Sequence, residues 1–313
     1  MIELKNVTKK FGNTPVVDSL SFEVKKGQII GFLGPNGAGK TTTMRMITGF
    51  FPPTSGAITV AGFDVAEKPM EARAKIGYMP ENVPLYKELD VHSYLRFVAE
   101  VKGVAKGKIE SSITKAMEES GVTTVKDKII GKLSKGYRQR VGIAQAIIND
   151  PEVLILDEPT VGLDPKQIKE IRELIKKMKG DRTIILSTHI LPEVSMTCDR
   201  VIVINQGKII AEGDVETLTR GTGSASRIYV EVDAPKAQFI SEMKKIKSVS
   251  EVMEVEKPGG GLSAFNIDME EGKNAAKDIV ARISKNDWEL LEFKKPHATL
   301  EEVFLKLVTK EES

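Results

Sequence analysis

The stretch Gly34-Pro35-Asn36-Gly37-Ala38-Gly39-Lys40-Thr41 fits the pattern G-x-x-x-x-G-K-[ST] at every fixed position. It follows the apolar run 28–33, which has the length of a strand, and precedes residues 42–47, which contain no helix breaker. Glycines allow successive backbone N–H groups to point at phosphate oxygens, and the N-terminus of a following helix adds a partial positive charge. We therefore predict a phosphate-binding loop, extended to Thr42, in which Lys40 reaches the β- and γ-phosphates and Thr41 offers its hydroxyl to Mg²⁺.

The composition is typical of a globular protein and argues against nucleic acid as the main partner. The chain has 313 residues, 41% hydrophobic and 29% charged, which leaves room for about two domains. Lys and Arg number 46 against 44 Asp and Glu, so the net charge of +2 gives no basic excess. No apolar run approaches the roughly 18 residues of a membrane span, and the start has no signal-peptide pattern. We expect a cytosolic protein, unless a partner holds it to a membrane.

The hydrophobic pattern predicts an α/β fold. Short strands at 2–7, 20–24 and 57–60 predict a mostly antiparallel sheet. Residues 90–120 have apolar side chains at spacings of three and four, which predicts two helices inserted between strand-bearing parts.

Two later runs, 153–156 and 183–186, are apolar throughout rather than alternating. Such runs are typical of parallel strands buried on both faces, here with a crossover helix from Pro165 to Met178. Asp164 before Pro165 is a well-formed helix start.

The composition changes at residues 218–226, which we interpret as a linker to a smaller domain. The order strand, helix, strand, strand, helix, strand over residues 228–293 predicts a ferredoxin-like α+β domain. Gly259–Gly261 is interpreted as a hairpin turn, and Thr299 as the cap of a last helix.

Acidic residues follow the first of the two buried runs. Asp157 and Glu158 end that run, and His189 ends the next, so all three are expected at the edge where open α/β sheets bind ligands. Asp157 is placed to hold Mg²⁺, Glu158 to polarise the attacking water, and His189 to bond a γ-phosphate oxygen. The alternatives are a solvated helix cap for the carboxylates and a structural role for the histidine.

Taken in order, these motifs resemble those of ABC-type ATPases, and the chain looks like the ATP-binding subunit of an ABC transporter. The resemblance covers residues 1–220 and includes the phosphate loop, residues 133–140, residues 154–158, residues 162–164 and His189. It implies a P-loop ATPase core with an antiparallel β subdomain and a helical subdomain at about 82–148. Residues 221–313 then form the C-terminal α+β domain.

The resemblance also implies ATP and Mg²⁺ as cofactors, and a dimer of two copies. Ser134 and Gly136 would face the γ-phosphate bound by the other copy; Ser134 also suits the N-cap of a helix running to about Ile148. Phe11 resembles the aromatic residue that stacks on adenine, although a core role at a strand end is the alternative. The further partner would be an integral membrane subunit, which would hold the chain at the inner face of the cell membrane.

Three positions depart from the family pattern. Glu81 stands where glutamine is usual, which makes it a possible metal ligand. Lys135 replaces a glycine and Tyr137 a glutamine in the signature. These changes resemble the branch of ABC ATPases that serve separately encoded export-type membrane subunits.

Two other classes of function remain open. A soluble ABC-type ATPase acting on ribosomes or DNA usually has two cassettes or a long coiled coil, and this chain has one cassette and no heptad run. A P-loop kinase for a small molecule would leave the signature helix without a role.

Overall fold

The computed structural model describes residues 1–215, 217–218, 227–255, 263–270 and 275–294. These residues form two compact units, one of residues 1–215 and one of the described residues from 217 to 294. Residues 219–226 of the predicted linker, the predicted turn at Gly259–Gly261 and the predicted last helix from Thr299 lie outside the described residues. No helix within the described ranges is both long and apolar enough to span a bilayer.

The secondary structure of the first unit alternates strands and helices. Its elements are β1 (Ile2–Phe11), β2 (Thr14–Val24), β3 (Ile29–Leu33), α1 (Lys40–Ile47), β4 (Ser55–Val60), β5 (Phe63–Asp64), α2 (Pro69–Ala74), β6 (Ile76–Met79), α3 (Val91–Val101), α4 (Ile109–Ser120), α5 (Lys135–Ile147), β7 (Val153–Asp157), α6 (Pro165–Lys177), β8 (Thr183–Thr188), α7 (Leu191–Thr197), β9 (Arg200–Asn205) and β10 (Lys208–Asp214).

The first sheet has the order β2-β1-β4-β5, and its neighbours pair antiparallel, as predicted. Strands β1 and β2 are longer than the alternating pattern indicated. The β1–β2 register shifts between Leu4 and Val7, and Asn6 and Ser19 adopt φ values of 48° and 53°. Such irregularities break the two-residue period, which explains why the pattern marked only parts of these strands.

The second sheet has the order β10-β9-β3-β8-β7-β6 and determines where the site lies. Its strands from β9 to β6 pair parallel, and β10 pairs antiparallel with β9. Every residue of β3, β7 and β8 is buried, as the unbroken apolar runs predicted. Because these three strands are parallel neighbours, the segments that follow them emerge at one edge.

The helices α3, α4 and α5 form the helical insertion and pack on one face of this sheet. Asp90 caps α3 by accepting a hydrogen bond from the backbone N–H of Ser93 at 2.8 Å. Ser134 caps α5 by accepting from the N–H of Tyr137 at 3.4 Å. The opposite face packs against the antiparallel sheet and α1.

The second unit has its own sheet and core. Its elements are β11 (Arg227–Asp233), α8 (Lys236–Lys244), β12 (Val249–Val255), β13 (Ser263–Met269), α9 (Ala276–Lys285) and β14 (Glu289–Lys294). The strand order is β12-β13-β11-β14, with antiparallel pairing throughout, which is a ferredoxin-like arrangement. The stacked rings of Phe239 and Phe265 lie in its core.

Candidate active site

A cavity of about 480 Å³ opens at the carboxyl edge of the parallel sheet. The phosphate loop and the first residues of α1 form one wall. Residues from four other segments of the chain form the rest. The lining residues are Val16, Asn36, Gly37, Gly39, Lys40, Thr41, Thr42, Glu81, Glu158, Val161 and His189.

The conformation of the phosphate loop depends on glycine. Gly39 has a φ of 102°, and a Cβ atom there would lie 2.8 Å from the carbonyl oxygen of Val16. A Cβ atom at Gly34 would lie 2.3 Å from the carbonyl oxygen of Ile204. A side chain at either position would displace backbone, so these two glycines fix the path of the loop. The loop leads directly into α1, whose N-terminal N–H groups and dipole favour an anion.

Lys40 is buried at the base of this loop. Its Nζ donates to the carbonyl oxygens of Gly34 at 2.8 Å and Pro35 at 3.1 Å, and lies 3.9 Å from Oε1 of Glu158. Burial lowers the pKa of Lys40, and the neighbouring carboxylates of Glu158, Asp157 and Glu81 partly oppose that shift. The ammonium group is thus held beside the loop by acceptors that an incoming phosphate can supplement or replace.

Asp157 is fully buried, and neither carboxylate oxygen has a hydrogen-bond partner within the described part of the chain. The hydroxyls of Ser187 and Thr41 lie close to this carboxylate. Burial raises the pKa of Asp157; these two hydroxyls oppose the increase, and the charge of Glu81 adds to it. A buried carboxylate without partners is costly, so it indicates a missing cation or donor.

Glu158 and His189 form a pair above Lys40. His189 Nδ1 lies 2.9 Å from Oε1 of Glu158, and the two side chains differ in exposure, 42% for the histidine against 7% for the glutamate. The other oxygen, Oε2, is buried and has no protein partner among the residues described. Glu158 also has a φ of 51°, a conformation that non-glycine residues rarely adopt. The pair therefore presents one free carboxylate oxygen and an accessible imidazole.

Glu81 follows β6 and is exposed, unlike Asp157 and Glu158. It lines the main cavity and also a second cavity of about 190 Å³ that is lined by Lys135 and Arg138 of α5. The structure thus places it between the phosphate loop and the signature helix. Among the described residues, no group of three or more His, Cys, Asp and Glu side chains could hold a metal ion. A Mg²⁺ site here would need phosphate and water ligands as well, which is usual for this ion.

Six further predicted residues do not line the main cavity. Ser134 is exposed, and Gly136 is buried against Gln167 of α6. Phe11, at the end of β1, is 51% exposed; its ring packs edge-on against Phe51 at 5.8 Å. Gly34, Pro35 and Ala38 belong to the loop without lining the cavity.

Sequence reasoning missed a cluster directly behind the Glu158–His189 pair. Buried Glu193 accepts hydrogen bonds there from the hydroxyls of Thr160 and Thr188. Thr160 follows Glu158 by two residues and Thr188 precedes His189, so adjacency to the motifs was the only available signal. The sequence around Glu193 gave no signal of a functional role, because an acidic residue in the first turn of a helix is common.

A phosphate loop, a buried lysine and a buried aspartate at the ends of parallel strands define a P-loop nucleoside triphosphatase. Comparison with known proteins shows to which family within this class the chain is similar.

The family model described as "ABC transporter" matches residues 17–161, and one described as "AAA domain, putative AbiEii toxin, Type IV TA system" matches residues 130–196. The linearmycin resistance ATP-binding protein LnrL of Bacillus subtilis is 33% identical over 309 residues, 98% of both chains. The bacitracin transport ATP-binding protein BcrA of Bacillus licheniformis is 42% identical over 214 residues, 68% of this chain and 69% of BcrA. A solved dimeric ATP-binding cassette in a post-hydrolysis state, bound to ADP and Pi, is 25% identical with a TM-score of 0.62, over 68% of this chain and 98% of its own.

The chain belongs to the family of ABC transporter ATP-binding proteins. It is an ATP-binding subunit with ATPase activity, and the family and fold class predicted from the sequence are confirmed.

Proposed function

We propose that this chain hydrolyses MgATP as a dimer of two copies and powers an export-type membrane subunit encoded separately. The observation that carries the proposal is Asp157, a fully buried carboxylate whose oxygens have no hydrogen-bond partner among the described residues and which lies near Thr41 and Lys40. Such a group is stabilised when a cation arrives with its phosphate ligands.

In this proposal each side chain of the cavity has a separate task. Thr41 and Asp157 hold Mg²⁺, with Glu81 as a further ligand directly or through water. When bound there, Mg²⁺ would supply positive charge next to the phosphates. Lys40 moves part of its hydrogen bonding from the loop carbonyls to the phosphates. The loop N–H groups and the dipole of α1 add stabilisation without reorganising.

Glu158 orients the attacking water through its free oxygen, Oε2, and accepts the proton. Its other oxygen, Oε1, is engaged by Nδ1 of His189. The other ring nitrogen of His189, Nε2, then hydrogen-bonds a γ-phosphate oxygen in this proposal. The hydrogen bond to Glu158 thus fixes both the orientation of the ring and the carboxylate.

The second copy completes the site through Ser134 and Gly136. Ser134 is exposed at the N-terminus of a long helix, so the free N–H groups of that helix can bind an anion supplied by another chain. A solved relative is itself a dimeric cassette, which supports this arrangement. Phe11 is about half exposed, and in this proposal its accessible ring stacks on adenine.

The proposed membrane partner rests on the relatives. BcrA is named for bacitracin transport and LnrL for linearmycin resistance. We infer that this chain likewise acts at the inner face of the cell membrane, held there by its partner. Residues 1–220 form the nucleotide-binding domain in this proposal, and residues 221–313 an accessory domain.

Glu158→Gln tests the catalytic role. The amide keeps the shape of the side chain but cannot accept a proton, so we expect phosphate release to fall at least about 100-fold while ATP binding persists. Glu152→Gln is the matched control. Glu152 directly precedes β7, at the end of the strand opposite Glu158, and its Oε1 lies 2.6 Å from Nζ of Lys75. Wild-type turnover in Glu158→Gln would remove Glu158 from the mechanism.

Purification of tagged Glu158→Gln protein with ATP tests the partner. We expect a multi-span membrane protein in stoichiometric amount, recovered only after detergent extraction. Sedimentation with ribosomes or retention on DNA would instead favour the soluble alternative.

A further inference from the structure

Glu193 is a buried carboxylate for which the proposed mechanism has no role. It lies in the first turn of α7 and is 3% exposed. Its oxygen Oε1 accepts from Oγ1 of Thr160 at 2.5 Å, and Oε2 accepts from Oγ1 of Thr188 at 3.2 Å. Both threonines are themselves buried.

The two threonines belong to the segments that carry the catalytic pair. Thr160 lies two residues after Glu158, in the turn that follows β7. Thr188 is the last residue of β8 and immediately precedes His189. One carboxylate on a third element therefore ties together the backbone on either side of the Glu158–His189 contact.

The β7–β8 pairing ends with Asp157 opposite Ser187, and among the described residues few backbone bonds join the two segments beyond that point. The N–H of Glu158 donates to the carbonyl oxygen of Ser187 at 2.8 Å, and within the first turn Val161 donates to the carbonyl of Glu158 at 3.3 Å. Glu158 also has a left-handed backbone conformation, which the surroundings must maintain. The side-chain bridge is thus a substantial part of what fixes the 2.9 Å distance between His189 and Glu158.

The electrostatic environment of Glu193 indicates that its carboxylate has a hydrogen-bonding role and does not merely fill space in the core. Burial raises the pKa of Glu193, its bonds to Thr160 and Thr188 counteract that increase, and the charge of Glu158 adds to it. An apolar residue would fill the same space without the cost of burying a carboxylate near another one. The two hydroxyl donors are what make a carboxylate useful there.

We propose that Glu193 is a positioning residue for hydrolysis: through Thr160 and Thr188 it sets the relative placement of Glu158 and His189. This inference rests on the proposed catalytic role of that pair. It predicts an effect on turnover that is separate from ATP binding, because the hydrogen bonds of the bridge join Glu193 to Thr160 and Thr188 and involve no residue of the phosphate loop.

The test removes each hydroxyl without changing shape. The variants are Thr160→Val and Thr188→Val, each with a serine counterpart that restores the hydroxyl. Thr197→Val is the matched control: Thr197 is buried on α7 one turn beyond Glu193, and its hydroxyl has no partner within the described residues. Each protein is assayed for kcat, for KM of ATP and for thermal unfolding.

We expect each valine variant to lower kcat at least about tenfold with KM changed less than about threefold, because small displacements of catalytic groups are costly. The serine variants should recover at least half of the lost activity, and Thr197→Val should match the wild type. A kcat within twofold of wild type in both valine variants overturns the proposal. So does a serine variant as impaired as its valine counterpart.

Two further variants keep the result interpretable. Glu193→Gln retains the shape and one acceptor oxygen, so it should fall between wild type and the valine variants in kcat even if a valine variant folds poorly. Thr160→Val added to Glu158→Gln should lower the residual activity less than twofold, because the bridge acts through Glu158. If the losses caused by Thr160→Val and Glu158→Gln multiply in the double variant, the proposed role of Glu193 is wrong while the catalytic role of Glu158 stands. If the single variant Glu158→Gln keeps wild-type activity, the proposed catalytic pair itself is wrong.

Discussion

The two regions that carry the family motifs differ in exposure. At the carboxyl edge of the parallel sheet, Lys40, Asp157 and Glu158 are 6%, 0% and 5% exposed. At the start of α5, Ser134 is exposed and caps the helix by accepting from the N–H of Tyr137. Charged groups are buried in one region, and an anion-binding helix end is accessible in the other. This contrast is what the proposed dimer requires: one half of the site is assembled within the chain, and the other half is accessible to a second copy.

The largest effect on turnover is expected from a substitution in the buried half of the site. Asp157→Asn replaces a negatively charged metal ligand by a neutral amide, so Mg²⁺-dependent phosphate release should fall at least about 100-fold. The assay is phosphate release at saturating MgATP. Asp181→Asn, at an exposed position before β8, should leave turnover unchanged. Turnover within tenfold of wild type in Asp157→Asn would show that the buried half does not depend on this carboxylate.

A smaller loss is expected at the exposed half. Ser134→Arg removes the cap of α5 and crowds the surface that a second copy would approach, so turnover should fall at least about tenfold. ATP affinity should stay within about threefold, because Ser134 lies outside the cavity of its own chain. Nucleotide titration and phosphate release measure the two quantities. Ser111→Arg, on the exposed face of α4, is the control. If Ser134→Arg lowers ATP affinity as much as turnover, then Ser134 acts in the nucleotide site of its own chain and the contrast between the two regions fails.

The cost of the preassembled half should be visible in stability. The pKa of Asp157 is raised in the folded protein, so its contribution to stability decreases as pH rises from about 4 through that raised pKa. Without nucleotide, Asp157→Asn should therefore unfold roughly 2–4 °C higher than wild type at pH 7 and show little gain at pH 4. Thermal unfolding at both pH values measures this. If the unfolding midpoint of Asp157→Asn is below that of wild type at pH 7, or rises by the same amount at pH 4, then the buried carboxylate of Asp157 does not destabilise the folded protein.

The smallest effect is expected from the second unit, which has its own core and sheet. Deleting residues 226–313 should leave ATP binding intact and change turnover or dimer lifetime about twofold to fivefold, if this unit stabilises the dimer or senses a ligand. Phosphate release and the decay of the ATP-bound dimer measure the change. No effect on either would assign the unit another role.

The sequence predicted most of the fold because its strongest signals are local. The unbroken apolar runs gave β7 and β8, and the cap Asp164 with Pro165 gave the start of α6, where Asp164 accepts from Gln167 at 2.9 Å. The boundaries of β1 and β2 were wrong because bulges interrupt their alternation. The short strands β5, β9 and β10 were not predicted.

The candidate site was predictable to the extent that its residues lie in motifs. Parallel strand order brings Asp157, Glu158 and His189 to one edge, so the sequence sufficed for their convergence. Two features depend on tertiary contacts alone. One is the bridge from Glu193, and the other is Glu81 lining both the phosphate-loop cavity and the α5 cavity.

The central claim is that two chains share each nucleotide, one through its buried half and the other through Ser134. Sedimentation of Glu158→Gln protein with MgATP tests it most directly. The account predicts a mass of two chains with ATP and one chain without it, and one chain for Glu158→Gln combined with Ser134→Arg even when ATP is bound. A two-chain mass for the double variant, or one chain for Glu158→Gln with bound ATP, would contradict it.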